Sequence, residues 1–395
     1  MKRLLITALT ALTMTGCAQH STSSQFTNQQ KSAMVNHVVD DIIVANYQFM
    51  DDQLLALLAD VQALAKDRSP ANLKAAQQSW RKARIGFEIA EAHLFGPVVS
   101  LGIDPALDSW PLDTEQLQLT INIANQLKNS AQLDQFSASL NDDVVGFHSV
   151  EYLLFGENNN QRAKNISDQQ AHYLVLLVQR MVNTSAELQN SWQQSFEQGL
   201  AYRQQMTQYQ AGLYANEDAV IEELVNGMIT IVDEVGTAKL IDPLGDSIAT
   251  AVPSAVESPY SWGSTQDFFY NIVGVKQVWL GENLLLEKNT QGNGLYHYIA
   301  SKDQALADQV SKEIDEAINA IVAISYSQYL SGSGAIHRAN GDTKQLALLI
   351  EQDDIEFAFK SQILTNSGRK KIRAAEAKLD ALSQTLTEQV LPLLQ

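Results

Sequence analysis

From Ala33 to Lys66 the apolar side chains recur at helical spacing: Val35, Val38, Val39, Ile42 and Ile43, then Leu54, Leu57, Leu58, Val61 and Leu64. A stripe of this period is buried by one face of a helix; a strand, whose side chains alternate between two faces, cannot bury it. The spacing predicts one long helix with a break near Asp51. The same period returns along almost the whole chain, and no alternating series or hairpin turn interrupts it. The chain is therefore expected to be all-α.

The punctuation between the stripes divides the chain. Ser69-Pro70 predicts a helix start, with Ser69 as cap and Pro70 in the first turn, and this second helix is expected to run to about Phe95. The segment GPVVSLGIDPALDSWPLD, Gly96 to Asp113, holds Pro97, Pro105 and Pro111, which forbid one continuous helix. Long irregular segments in compact domains are often functional. Helical patterns resume near Thr114, near Asn141 and from Ser167 to about Gln198, with the polar turn FGENNNQRAKN before the last. After the small-residue and proline run Gly245 to Ser264, helices are expected at about 265–289, 301–330, 343–363 and 370–393. Loops are expected around NTQGNG and SGSGAIHRANGD.

A chain of 395 residues is long for a single core. Two helical bundles are the natural arrangement, an N-terminal one over 33–215 and a C-terminal one over 216–395. Each half holds a tryptophan-bearing helix (Trp80, Trp279) and a histidine after a glycine-containing stretch (His148, His337), which is too little to establish a repeat.

The first residues read as an address. MKRLLITALTALTMTGC has Lys2 and Arg3, an apolar stretch from Leu4 to Met14, and small residues before Cys17, the only cysteine. This is the pattern of a secretory signal ending in a lipobox, and the apolar stretch is too short to span a bilayer. Residues 1–17 are expected to be the lipoprotein signal with its lipidated cysteine, and 18–32, rich in Ser, Thr and Gln, a flexible tether. Ala18, where an inner-membrane retention signal would place Asp, points to the periplasmic side of the envelope and an outer-membrane anchor. No disulfide, thiolate metal site or thiol catalysis can then be built within the chain. The net charge of -18 argues against nucleic acid as a partner.

Chemistry concentrates at GFHSVEYLLFG, Gly146 to Gly156. His148 and Glu151 are three apart, so a helix places both on one face, within reach of one ion. Imidazole nitrogen with carboxylate oxygen suits iron, zinc or manganese. The plain alternative is a local His–Glu pair. The flanks (Val144, Val145, Phe147, Val150, Leu153, Leu154, Phe155) predict burial, and a buried Glu151 needs a partner, either His148 or a cation. On the second helix Trp80, Arg84 and Glu88 share an i, i+4 face with Glu91 beside it. Arg84–Glu88 reads by default as an ordinary intrahelical ion pair, with Glu88 alternatively a carboxylate facing His148. His93 reads as a helix-end residue, Asp104, Asp108 and Asp113 as turn formers beside prolines, and Trp110 as packing. There is no His-Glu-x-x-His zinc helix, no P-loop and no Gly-x-Ser-x-Gly elbow.

Gly146-Phe147-His148-Ser149-Val150-Glu151 with its trailing Tyr-Leu-Leu-Phe-Gly resembles the Gly-x-His-x-x-Glu motif of the imelysin family of bacterial envelope proteins. The Trp80–Arg84–Glu88 helix, Trp110-Pro111 and SWGSTQDFFYNIVGVKQVWLG (Ser261 to Gly281) are similar to other segments of that family, and the resemblance covers roughly 33 to 390. It implies two four-helix-bundle domains related by duplication, with the motif in the first bundle near the cleft between them. It implies an iron-regulated lipoprotein serving iron acquisition, with other iron-uptake components as partners and a divalent metal, iron before zinc, as cofactor. It implies His148 and Glu151 as metal ligands and Glu88 as a third. The family also carries a metallopeptidase label from an insulin-cleaving member. A peptidase needs a polarising metal with an open position and a separate base, and the sequence offers no obvious second base. A third reading is a cleft for a non-metal ligand with a structural motif.

Overall fold

A computed structural model describes residues 26–127, 130–209, 213–284, 292–326, 343–344 and 359–394. Among them every regular element is helical and none is a strand. The signal and Cys17, the SGSGAIHRANGD loop with His337, and most of the helix expected at 343–363 lie outside the described residues.

Helix α1 (Asn28–His37) starts inside the segment read as tether. The cause is a capping box: the Thr27 hydroxyl accepts the Gln30 N–H at 3.2 Å, and the Gln30 side chain accepts the Thr27 N–H at 2.8 Å. A π-turn, Val38–Ile43, joins α1 to α2 (Val44–Lys66), so the long helix passes through Asp51 without a break. Its one irregularity is the π-turn, where the wider winding lets Val38, Val39, Ile42 and Ile43 all be buried. Helix α3 (Pro70–Ala90) begins as expected, with the Ser69 hydroxyl accepting the Asn72 N–H at 3.3 Å, and tightens into a 3-10 turn at Glu91–His93 before Phe95.

The proline-rich segment is not wholly irregular. Its prolines start short helices, Pro97–Ser100 and α4 (Ile103–Asp108), where a first-turn proline costs no hydrogen bond. Helices α5 (Gly146–Phe155), α6 (Asp168–Gln193), α7 (Glu217–Glu234), α8 (Ser264–Leu280), α9 (Gln304–Tyr326) and α10 (Asn366–Thr385) complete the long elements. Helix α8 stops earlier than its apolar pattern predicts, because Gly281 takes a left-handed conformation at φ +66°.

The long helices pack in two sets. In one, α2 lies against α3 and α6, and α5 against α3 and α6. In the other, α9 lies against α8 and α10, and α7 against the same two. Helix α8 also packs directly on α3, and the buried apolar residues of both sets form one continuous core. Gly274 permits that crossing: a Cβ there would stand 2.3 Å from the Ile89 carbonyl oxygen. The approach brings the C-terminal half of α3, with Arg84, Glu88 and Glu91, against α8. No described helix is long and apolar enough to cross a membrane.

Candidate metal centre

The motif helix α5 opens on Gly146 at φ +76°, where a Cβ would meet the Leu107 carbonyl oxygen at 2.2 Å. Only glycine fits that backbone and that space. The close approach sets the first turn of α5 on the end of α4, and His148 comes to lie beside Asp108. The Trp80 indole fixes the other flank by donating to the Phe147 carbonyl at 3.1 Å. The Trp110 ring packs on His148, with centroids 4.6 Å apart.

Both His148 ring nitrogens face carboxylates. Nε2 stands 3.2 Å from Asp108 Oδ1, and Nδ1 stands 3.4 Å from Glu151 Oε2. Glu151 is fully buried, and its partner is more than the histidine. Its Oε1 accepts the backbone N–H groups of Tyr260 at 3.1 Å and Ser261 at 2.7 Å. Arg81 holds the same segment by donating to the Ser261 carbonyl at 2.7 Å. The segment before α8 is thus drawn onto α5 and carries Glu257 inward. One ligand atom each from Asp108, His148 and Glu257 lies within 4.8 Å of the others. All three are enclosed: His148 is fully buried, Glu257 is 8% exposed and the Asp108 side chain 7%. Among the described residues Glu257 Oε2 has no hydrogen-bond partner.

Arg84 ties this group to a second ring of charge. Its guanidinium meets Glu88 at 2.5 Å, Glu257 at 2.9 Å, Asp267 at 3.5 Å, and Asp108. The Arg84–Glu88 pair has the i, i+4 spacing of an ordinary helix pair, but both partners are buried. Glu88 Oε2 accepts from the Asn271 amide at 2.6 Å and lies 3.7 Å from Lys239 Nζ. Lys239 also binds Glu91 at 2.6 Å. Asp267 accepts from the Ser258 hydroxyl.

Five buried carboxyl groups (Glu88, Glu91, Asp108, Glu257, Asp267) thus share two fixed cations, Arg84 and Lys239, with Glu151 beside them on His148. So large an excess of negative charge cannot stay ionised in a dry interior without further positive charge. Without an ion, protons supply it. Burial pushes Glu88 and Asp267 well above the usual carboxylate range, and it pushes Glu91 up to about 8 against the pull of Lys239. Burial alone would lower the His148 imidazole; the Asp108 carboxylate, helped by Glu151, more than reverses this and raises it to about 9. Asp108 resists its own burial and is held well below the usual range by Arg84 and His148. A divalent cation can replace those protons. One imidazole nitrogen and two carboxylates are donors that iron, zinc and manganese accept.

The sequence placed His148 and Glu151 together, and they are together. The structure puts Glu151 on Nδ1, the ring nitrogen opposite the one that faces Asp108. Glu88 meets the same Arg84 nitrogen as Glu257 and is also engaged by Asn271 and Lys239. The sequence does not single out Asp108 or Glu257. Asp108 read as a turn former, a role that Asp113 does fill by capping the helix Thr114–Ala124. Glu257 lay in a run of small residues. The one available signal for Lys239 was a lysine followed by Leu-Ile in an apolar setting.

The family model described as Imelysin, under a peptidase heading, matches residues 43–386. Iron-regulated protein A of Synechococcus elongatus is 26% identical over 386 residues, covering 96% of this chain and 92% of that protein. The crystal structure of a putative iron-regulated protein A precursor from Parabacteroides distasonis superposes with a TM-score of 0.70 at 25% identity, over 92% of this chain and 97% of that one. An imelysin-like protein from Psychrobacter arcticum shares the fold at a TM-score of 0.65 and 14% identity, over 93% and 96% of the two chains. The chain belongs to the imelysin family.

Proposed function

We propose that this imelysin-family chain is a metal-binding envelope protein serving iron acquisition, and that Asp108, His148 and Glu257 hold the ion. The observation that carries the reading is the convergence of those three donors in a buried site, with Glu257 Oε2 unpartnered. Glu151 is assigned the task of fixing the His148 tautomer, since a carboxylate on Nδ1 leaves Nε2 free to ligate. Glu88 steadies Arg84, which in turn positions Asp108 and Glu257. Iron is favoured over zinc because relatives of this length carry the name iron-regulated protein A.

Binding has more support than hydrolysis. Glu151 has both oxygens engaged, and Glu88 is held by Arg84, Asn271 and Lys239, so neither is free to activate water. The site also lies beneath the surface. A cavity of about 640 Å³ beside α6, lined by Leu101, His172 and Arg180 among others, includes none of its residues.

The test is equilibrium binding of Fe2+ and Zn2+ to residues 18–395, compared with Asp108→Asn, His148→Ala and Glu257→Gln. One tight ion in the wild type and weakened binding in all three variants is expected. Equal, weak binding by all four proteins would refute the site. For the anchor, we propose lipid attachment at Cys17 on the periplasmic side of the outer membrane, from which bound iron passes to other uptake components. Cys17→Ala should move the protein from the membrane to the soluble fraction; unchanged membrane association would refute the anchor.

A further inference from the structure

We propose that the ammonium of Lys239 occupies a second cation position beside the metal centre and so limits the centre to one ion. This rests on the metal reading of Asp108, His148 and Glu257. Lys239 is the last residue of a π-turn, Val235–Lys239, that ends α7, and it is 7% exposed. Oxygens from five different side chains surround its Nζ: Glu91 at 2.6 Å, Glu257 at 3.3 Å, Asn271 at 3.4 Å, Glu88 at 3.7 Å and Glu234 at 3.8 Å. An ammonium has three protons to donate, so five oxygens exceed its hydrogen-bonding capacity. Four carboxylates and an amide oxygen are the donor set of a hard divalent cation.

Glu257 links the two positions. Its Oε1 faces Lys239, while the residue also supplies a ligand atom to the group with Asp108 and His148. A carboxylate shared between neighbouring cation positions is the bridging element of two-metal sites in helical bundles. Here one position is filled by a side chain. Glu257 Oε2, buried and without a hydrogen-bond partner among the described residues, is the independent sign that this carboxylate is directed at a ligand.

Two consequences follow for selectivity. Calcium needs six to eight oxygens, and Lys239 ties up the carboxylates that could complete such a shell around the first ion. The wild-type centre is therefore restricted to ions that accept an imidazole and few oxygens. Removing the ammonium releases Glu88, Glu91, Glu234 and Glu257 to bind a second ion.

The experiment counts Mn2+ bound per chain, using the full chain in detergent and the free-Mn2+ electron paramagnetic resonance signal. Wild type, Lys239→Met, Lys239→Gln and Lys239→Arg are titrated to millimolar Mn2+. One ion is expected for wild type and Lys239→Arg, and two for Lys239→Met and Lys239→Gln, with a spin-coupled signal from the pair. One ion in wild type and also in the Met and Gln variants overturns the inference and leaves the metal centre standing. No ion in the wild type overturns the centre, and the inference with it. Two ions in the wild type overturn the inference even if neither neutral variant folds.

Discussion

Replacing Glu151 by glutamine isolates what its carboxylate does for His148. Gln keeps an oxygen for the Tyr260 and Ser261 N–H groups, which reach Glu151 Oε1 at 3.1 and 2.7 Å. It replaces the oxygen 3.4 Å from His148 Nδ1 by an NH2 donor. Two donors cannot face each other, so Nδ1 must become the acceptor and the proton moves to Nε2, the nitrogen needed for the ion. Loss of an orienting partner of this kind lowers metal affinity by about 10- to 100-fold, or about 1.4–2.7 kcal/mol. Glu151→Ala does something different. It also leaves the buried Ser261 N–H unsatisfied, at about 1–3 kcal/mol, and the part-buried Tyr260 N–H with it. Calorimetric Zn2+ titrations and thermal melts of both variants separate the effects. The Gln variant should lose affinity while melting close to the wild type; the Ala variant should lose both. Wild-type affinity in Glu151→Gln would refute the orienting role. A fall well beyond about 100-fold would place Glu151 on the ion itself.

Arg84→Met removes the cation common to Glu88, Asp108, Glu257 and Asp267, and should destabilise the metal-free chain by about 3–5 kcal/mol in urea melts; saturating metal should recover part of the loss. Gly274→Ala should cost at least about 1–3 kcal/mol, because its Cβ would stand 2.3 Å from the Ile89 carbonyl oxygen and force α3 and α8 apart, which a melting curve reads directly. His93 is fully buried between Tyr47 and Asn46, and burial pushes its imidazole down to about 3 from the usual 6.5. Below pH 6.5 the unfolded chain takes up a proton that folded His93 refuses, so stability falls as pH drops from 6.5 towards about 3, by about 2–3 kcal/mol by pH 4.5. His93→Gln should flatten that part of the pH profile, and an unchanged profile would count against it.

The helices were legible because their period is local. The α1–α2 stripe, the Ser69-Pro70 start and the burial of the His148 helix all follow from residues within a few turns of one another. What escaped, the π-turn aside, was decided across the chain. The π-turn at Val38–Ile43 replaced a break near Asp51, since one extra residue in a turn leaves no mark in an apolar stripe that stays buried. Burial makes Glu151 need a partner, and the sequence offers His148 or a cation. Backbone N–H groups from a segment 109 and 110 residues away supply a further solution that no spacing rule contains. The Arg84–Glu88 pair was legible as a pair, but its burial depends on the approach of α8, which spacing within α3 cannot reveal. Asp108 and Glu257 lie in segments where acidic residues usually shape turns, and only tertiary packing separates them from Asp113.

The centre and its charge ring take residues from α3, α4, α5, the turn after α7, the segment before α8 and α8 itself, from Arg84 to Asp267. During synthesis the site therefore does not exist until nearly seven-tenths of the polypeptide has emerged and those pieces have docked. A chain exported in the unfolded state crosses its membrane with no ion-binding geometry. On the metal reading proposed above, the ions of the compartment where it folds, not those of the one where it is made, then decide what first fills the site.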